Sequence, residues 1–262
     1  MQYTRINGIT VHYALDGPAD APVVLFANSI GTDLRIWDGV VAELVSEYRL
    51  LRYDMRGHGL TDAPPGPYSM AQLADDAAAL LDALDIRQAH VCGLSIGGMV
   101  AQQLAATRPE RVARAIFCDT AMRIGPPDMW NQRAKAVRDG GTAAIADGVM
   151  QRWFTQAYLA GDGVSIYRNM LSRVAAEGYA GCCEAIRDAD LTAAAASIQA
   201  PALVVVGEED VATPPADGQA LADALPNGRF RLLPGAAHIP CVEQPAALAQ
   251  LIRDFLSGGL DG

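Results

Sequence analysis

Five short apolar runs that do not alternate with polar residues constrain this fold more than any other feature: Pro22 to Ala27, Leu50 to Tyr53, Ala89 to Gly93, Ala113 to Cys118 and Ala202 to Gly207. A strand with one face in water alternates; a strand without alternation is covered on both faces, as in a parallel sheet flanked by helices. Ahead of these runs, Tyr3 to Ile6 and Ile9 to Ala14 read as an antiparallel hairpin, because Ile9, Val11 and Tyr13 alternate with polar neighbours. The intervening segments carry helix signals. Ser69 and Gln72 form a capping box ahead of Met70, Leu73, Ala77, Leu80 and Leu84 at helical spacing. Gly97 to Thr107 stops before Pro109, Thr213 reads as an N-cap before Pro214, and a last helix runs from near Pro245 to Gly258.

Between Gly125 and Ala200 the strand signal disappears, and an Ala-rich helical stretch is punctuated by Gly140-Gly141, Gly161-Asp162-Gly163, Gly178 and Gly181. With 262 residues there is room for one α/β domain and an insertion. The expected division is a core in two parts, 1–124 and 201–262, with a helical lid at 125–200.

A hydrophobic share of 51%, with 19% charged residues, can bury a large core. The net charge of −10 argues against nucleic acid, which needs a basic face to displace its counterions. All but one of the 20 Lys and Arg residues are arginine, and they are scattered. The opening Met1 to Pro18 lacks the apolar run of a signal peptide, and no stretch is apolar enough to span a membrane. Five cysteines without zinc or redox spacing fit reduced thiols, so a cytoplasmic location is expected. An exposed apolar lid face could support a homodimer.

The chemistry centres on Gly93-Leu94-Ser95-Ile96-Gly97, a G-x-S-x-G pattern between a strand and a helix. The turn holds Ser95 in a strained conformation, and small residues two positions either side let strand and helix approach. A serine hydroxyl needs an adjacent base. His238, in Pro234-Gly235-Ala236-Ala237-His238 after the apolar run Phe230 to Leu233, is that base. His12 and His90 read as structural, and His58 remains open between the two roles. The acid orienting the imidazole should sit at a strand end: Asp210 after ALVVVG, with Asp119 after ARAIFC as the second choice. Acyl transfer also needs two N–H donors at the oxyanion, each worth about 3–4 kcal/mol. Ile96 supplies one; Ser29, in the loop Asn28-Ser29-Ile30-Gly31, is expected to supply the other.

These residues resemble the α/β-hydrolase superfamily across nearly the whole chain, and more closely the 3-oxoadipate enol-lactonases. Carrying the resemblance are Asn28 to Asp33 with Trp37, Tyr53 to Gly59, Gly93 to Gly98, Arg152-Trp153-Phe154-Thr155, and Gly178-Tyr179 with Cys182 to Asp188. The resemblance implies an α/β-hydrolase fold with a mostly parallel sheet, and a serine esterase opening a carboxylate-bearing lactone with no metal or organic cofactor. An anionic substrate in an acidic protein needs a placed guanidinium between aromatic walls. The lid offers Trp130, Arg133, Trp153 and Arg187 as substrate contacts, while Arg56 in the Arg-Gly-His-Gly turn reads as structural. Competing readings are a broad carboxylesterase or perhydrolase on short acyl esters, and a small-molecule receptor on the same fold.

Overall fold

The computed structural model describes residues 1–259. Its elements are β1 (Gln2–Ile6), β2 (Ile9–Asp16), β3 (Val23–Ala27), α1 (Asp38–Leu44), β4 (Arg49–Tyr53), α2 (Met70–Ala83), β5 (Ala89–Leu94), α3 (Ile96–Thr107) and β6 (Val112–Cys118). A helical segment follows: α4 (Pro127–Gly140), α5 (Ala146–Trp153), α6 (Gln156–Leu159), α7 (Val164–Ser172), α8 (Ala176–Asp188) and α9 (Thr192–Ser197). The chain then returns through β7 (Ala202–Gly207), α10 (Pro215–Ala224), β8 (Gly228–Leu233), α11 (Pro240–Glu243) and α12 (Pro245–Leu256).

The strands form one 8-stranded sheet in the order β1-β2-β4-β3-β5-β6-β7-β8. β1 and β2 pair antiparallel, as do β2 and β4, whereas β4, β3, β5, β6, β7 and β8 run parallel. The non-alternating runs behave as their composition requires: every residue of β7 is buried, as are the last four of β3, β4, β5 and β6. The chain moves from β3 outward to β4 and then returns to the other side of β3 as β5, so the strand order reverses there. A crevice opens at the carboxyl ends of strands on either side of such a reversal. Ser95 follows β5 at that place.

Phe26 and Trp37, with ring centroids 4.8 Å apart, are fully buried, as are Leu50 and Leu51 of β4. Each such side chain contributes about 1.5–3 kcal/mol. Arg52, itself buried, binds Asp16 and Asp38, tying β4 to β2 and to the start of α1. Arg56 makes a two-pronged contact with Asp76 of α2 at 2.7 and 2.8 Å, and Asn7 donates to the same carboxylate, which fits its expected structural role. The capping box at α2 is half formed as a hydroxyl bond: Ser69 accepts the Gln72 N–H at 3.2 Å.

Glycine has two uses in the helical segment. Gly141, at φ 71°, ends α4, and Gly161 to Gly163 separate α6 from α7, as breaks should. Gly178 and Gly181, expected to be breaks as well, lie inside α8. A Cβ on Gly178 would stand 2.3 Å from the Gly57 carbonyl oxygen, and one on Gly181 would stand 2.8 Å from the Tyr68 ring. Both let α8 lie directly on the core. No helix among the described residues is long and apolar enough to cross a membrane, and all five cysteines are buried and free.

Candidate active site

Ser95 occupies a tight turn between β5 and α3 with φ 58° and ψ −118°. Such backbone costs about 1–3 kcal/mol and persists only where its surroundings fix it. They do so here from both sides. The Ser95 N–H donates to the Cys118 carbonyl at 3.0 Å, and the Thr120 hydroxyl donates to the Ser95 carbonyl at 2.7 Å. A Cβ on Gly93 would fall 2.1 Å from the Gly97 oxygen, and one on Gly97 would fall 2.2 Å from the Ala27 oxygen. Only hydrogen at these positions lets strand, helix and the loop after β3 meet.

Asp210 and His238 lie on the loops after β7 and β8. Gly207 brings these loops together, since a Cβ there would stand 2.1 Å from the Ala237 oxygen. His238 Nδ1 and Asp210 Oδ2 are 2.9 Å apart, and both residues are buried. The Asp210 Oδ1 also accepts the N–H groups of Ala212 and Thr213, at 2.7 and 3.1 Å, and Oδ2 accepts the Thr213 hydroxyl at 2.7 Å. Burial pushes this carboxyl up, but the nearby His238 and these hydrogen bonds outweigh it and hold Asp210 below the usual carboxylate range. Thr213 therefore does not cap a helix as its sequence setting suggests. α10 begins at Pro215 after Pro214, and the Thr213 hydroxyl is spent on the acid.

A second carboxyl lies in the same cluster. Asp119, fully buried after β6 at φ 43°, accepts the Gly207 N–H at Oδ1, 2.8 Å away, while its Oδ2 has no hydrogen-bond partner. One oxygen of Asp119, one of Asp210 and a ring nitrogen of His238 all lie within 4.8 Å of one another. Burial, and then the Asp210 charge, push the Asp119 carboxyl well above its ordinary range.

The loop after β3 is fastened by its own polar groups. The Asn28 amide donates to the Tyr53 carbonyl at 2.8 Å and accepts from the Trp37 indole at 2.9 Å. The Gly31 N–H donates to His58 Nε2 at 2.9 Å. Burial lowers the His58 pKa, which keeps the ring neutral and able to accept that bond. The open question about His58 thus resolves toward holding this loop. Among the described residues the N–H groups of Ser29, Ile30 and Ile96 have no acceptor. Ser29 itself is fully buried, and it is the next residue, Ile30, that lines the cavity with Ser95.

That cavity, about 30 Å³, holds Ser95 and His238 on one side and the helical segment on the other. Trp130 and Arg133 of α4 and Arg152 and Trp153 of α5 line it. The Arg133 guanidinium lies 5.0 Å over the Trp130 ring. Burial, and then the Arg133 charge, push Arg152 below its ordinary value. Neither arginine makes an ion pair with a carboxylate among the described residues, although most arginines of this acidic chain do. Arg187, expected beside them, is not in the cavity lining; its guanidinium is engaged by Asp188 and Asn131. Arg152, which the sequence reading passed over as a substrate contact, stands in its place. The signal was weak: it is one charge beside Trp153, and only packing reveals that it has no acidic partner. Of the other histidines, His12 pairs with Asp54 at 2.7 Å, and His90 lies in β5, outside the site.

A strained serine elbow, a buried acid–histidine pair and the strand order together define an α/β hydrolase. The family model described as the alpha/beta hydrolase fold matches residues 22–245, and the chain belongs to that family. It is similar to 3-oxoadipate enol-lactonase 2 of Acinetobacter baylyi, 41% identical over 94% of this chain and 92% of that protein. Among solved structures it resembles the enol-lactonase from Burkholderia xenovorans LB400, with TM-score 0.95, 42% identity and coverage of 98% of this chain and 100% of that one. A thermophilic esterase from Thermogutta terrifontis is also similar, with TM-score 0.90, 30% identity and coverage of 97% and 96%. With this fold and these relatives, the chain is an ester hydrolase.

Proposed function

We propose that this hydrolase opens 3-oxoadipate enol-lactone, or a lactone of the same build with a carboxylate arm, through an acyl-enzyme on Ser95. The observation that carries the reading is the pair Arg133 and Arg152: two guanidiniums without acidic partners, walled by Trp130 and Trp153, in the cavity that also holds Ser95 and His238. An unpaired cation in a partly desolvated site is costly unless a ligand supplies the anion. A carboxylate arm supplies it and meets an arginine in a planar, two-pronged fit.

In this reading His238 takes the proton of Ser95 Oγ as the oxygen attacks the ring carbonyl, and Asp210 stabilises the resulting imidazolium. The N–H groups of Ile96 and the β3 loop receive the oxyanion. Ser29 was the expected donor on that loop; Ile30, which stands at the cavity, is the donor proposed here. The C–O bond of the ring breaks, and the enolate leaves and tautomerises to a ketone on the chain still esterified to Ser95. Water activated by His238 then attacks the ester, releasing the keto acid and restoring the serine. The free, buried thiols support a reducing compartment as its place of work.

The test compares kcat/KM on enzymatically generated 3-oxoadipate enol-lactone and on a short neutral p-nitrophenyl ester, with Arg133→Gln and Arg152→Gln alongside. A charged hydrogen bond of about 1.5–3 kcal/mol predicts a roughly 10- to 100-fold higher KM for the lactone and little change for the ester. Comparable or better turnover of the ester by the unaltered enzyme would instead make this a general esterase, as the similarity to the Thermogutta esterase allows.

A further inference from the structure

The carboxyl of Asp119 is buried behind the acid–histidine pair with one oxygen unaccounted for, and nothing in the proposed reaction uses it. A structural account covers half of the group. Its Oδ1 accepts the Gly207 N–H, which an asparagine could do equally well; Oδ2 has no such task. Burying an ionisable oxygen without a partner is expensive, so an unpartnered Oδ2 on a carboxyl that itself brings an oxygen within 4.8 Å of both Asp210 and His238 requires a reason.

The surrounding charges supply one. The titratable groups facing Asp119 are Asp210 from the β7 loop, His238 from the β8 loop, Cys118 at the end of β6 and Cys241 of α11. The Cys92 thiol and then burial push Cys118 up, and burial pushes Cys241 up, so both thiols stay neutral. Among the described residues, the charges that face Asp119 are then Asp210 and, when protonated, His238. Two carboxylates this close cannot both ionise opposite one imidazole. Asp210 has four hydrogen-bond donors on its oxygens, and Asp119 has one. Asp210, with more donors on its oxygens, carries the charge, and Asp119 keeps its proton.

We propose that Asp119 is a second acid of the catalytic site: a positioning residue that braces Asp210 through its carboxyl proton, and the group that takes the charge behind His238 when Asp210 is neutralised. The inference rests on the reading of Asp210 and His238 as catalytic. It also accounts for Asp, which tolerates left-handed backbone better than most residues, at φ 43° beside the acid. Replacing Asp210 by Asn removes the repulsion that adds to burial in keeping Asp119 protonated, so that Asp119 ionises more readily, within reach of the imidazole.

The experiment measures kcat/KM against pH for the unaltered enzyme, D119N, D119A, D210N and D119N/D210N, with the melting temperature of each. The amide of D119N still donates toward Asp210, so a loss of about threefold is expected there and more than tenfold in D119A, which donates nothing. D210N should lose on the order of 10²- to 10⁴-fold while keeping a residual activity that rises with pH as Asp119 ionises. The added D119N change should remove that pH-dependent remainder, a much larger effect than D119N has alone. The proposal is overturned if D119N costs the same factor in both backgrounds, or if D119A matches D119N. If D210N retains full activity, the assignment of Asp210 falls and this inference with it. A second readout needs no double variant: the His238 Nδ1 proton in D210N. A low-field resonance that disappears as pH falls, when Asp119 regains its proton, is expected; its absence at every pH overturns the proposal.

Discussion

Ser95 is held at its turn under backbone strain, which makes two substitutions informative together. Ser95→Ala and Ser95→Gly both remove the proposed nucleophile, and each should lower kcat by on the order of 10⁶ without unfolding the protein. Glycine alone relieves φ 58°, so Ser95→Gly should be the more stable of the two by about 1 kcal/mol in urea unfolding. Retained activity in either would remove Ser95 from the mechanism. Thr213 tests the acid. Thr213→Val deletes one of four hydrogen bonds on Asp210 and should lower kcat by about tenfold with KM nearly constant, because the charge it supports is used as His238 becomes cationic. An unchanged kcat would return Thr213 to a packing role. These residues also show what a sequence conceals. Ser95, Asp210 and His238 were legible because each follows an apolar run in the chain order of a hydrolase. Thr213 was misread, because Thr before Pro is also what a helix start looks like, and only the folded loop shows where the hydroxyl goes. Arg187 and Arg152 are alike in type; Asp188, next in the chain, was the local clue that Arg187 was already engaged.

At the scale of elements, the helical segment is joined to the His238 loop at points that a sequence marks poorly. Glu243 of α11 accepts the N–H and hydroxyl of Thr155 on Oε1 and the Ala237 N–H on Oε2, so one carboxylate links the end of α5 to the His238 loop. The Ile239 N–H adds a bond to the Trp153 carbonyl at 3.2 Å. Strand runs were legible because burial on both faces leaves a compositional mark, and all five parallel runs lie on observed strands. The packing of α8 was not, because Gly inside a helix looks the same whether it ends the helix or admits a neighbour. Gly178→Ala separates the two roles. Its methyl would press on the Gly57 backbone, which cannot rotate away, so the change should destabilise the fold by about 1–3 kcal/mol despite alanine's better helix propensity. An increase in melting temperature would mean that α8 does not rest on the Arg-Gly-His-Gly turn.

For the molecule as a whole, buried titratable groups set opposing slopes of stability against pH. Burial, helped by the Arg114 charge, pushes His90 down to about 4, and burial also lowers His58. An unfolded histidine titrates near 6.5. Between that value and the folded one, the unfolded chain binds more protons, so the stability from these neutral rings is present above about pH 6.5 and is lost as pH falls toward about 4. Asp119 has the opposite sign. Its raised pKa means the native state holds a proton that an unfolded aspartate, near 3.9, releases; that contribution is complete below about pH 3.9 and fades as pH rises through the folded value. The net charge of −10 works with Asp119 rather than with the histidines, since acidification relaxes self-repulsion. A fall in unfolding free energy between pH 6.5 and 4.5 must therefore come from buried bases strong enough to overcome both. Urea titrations across that range should show the fall, His90→Gln should flatten it, and D119N, which removes an opposing contribution, should steepen it. A stability that holds level or rises on acidification to pH 4.5 would mean that the histidines are not held neutral, and with them would go the account of His58 as the acceptor that fixes the loop after β3.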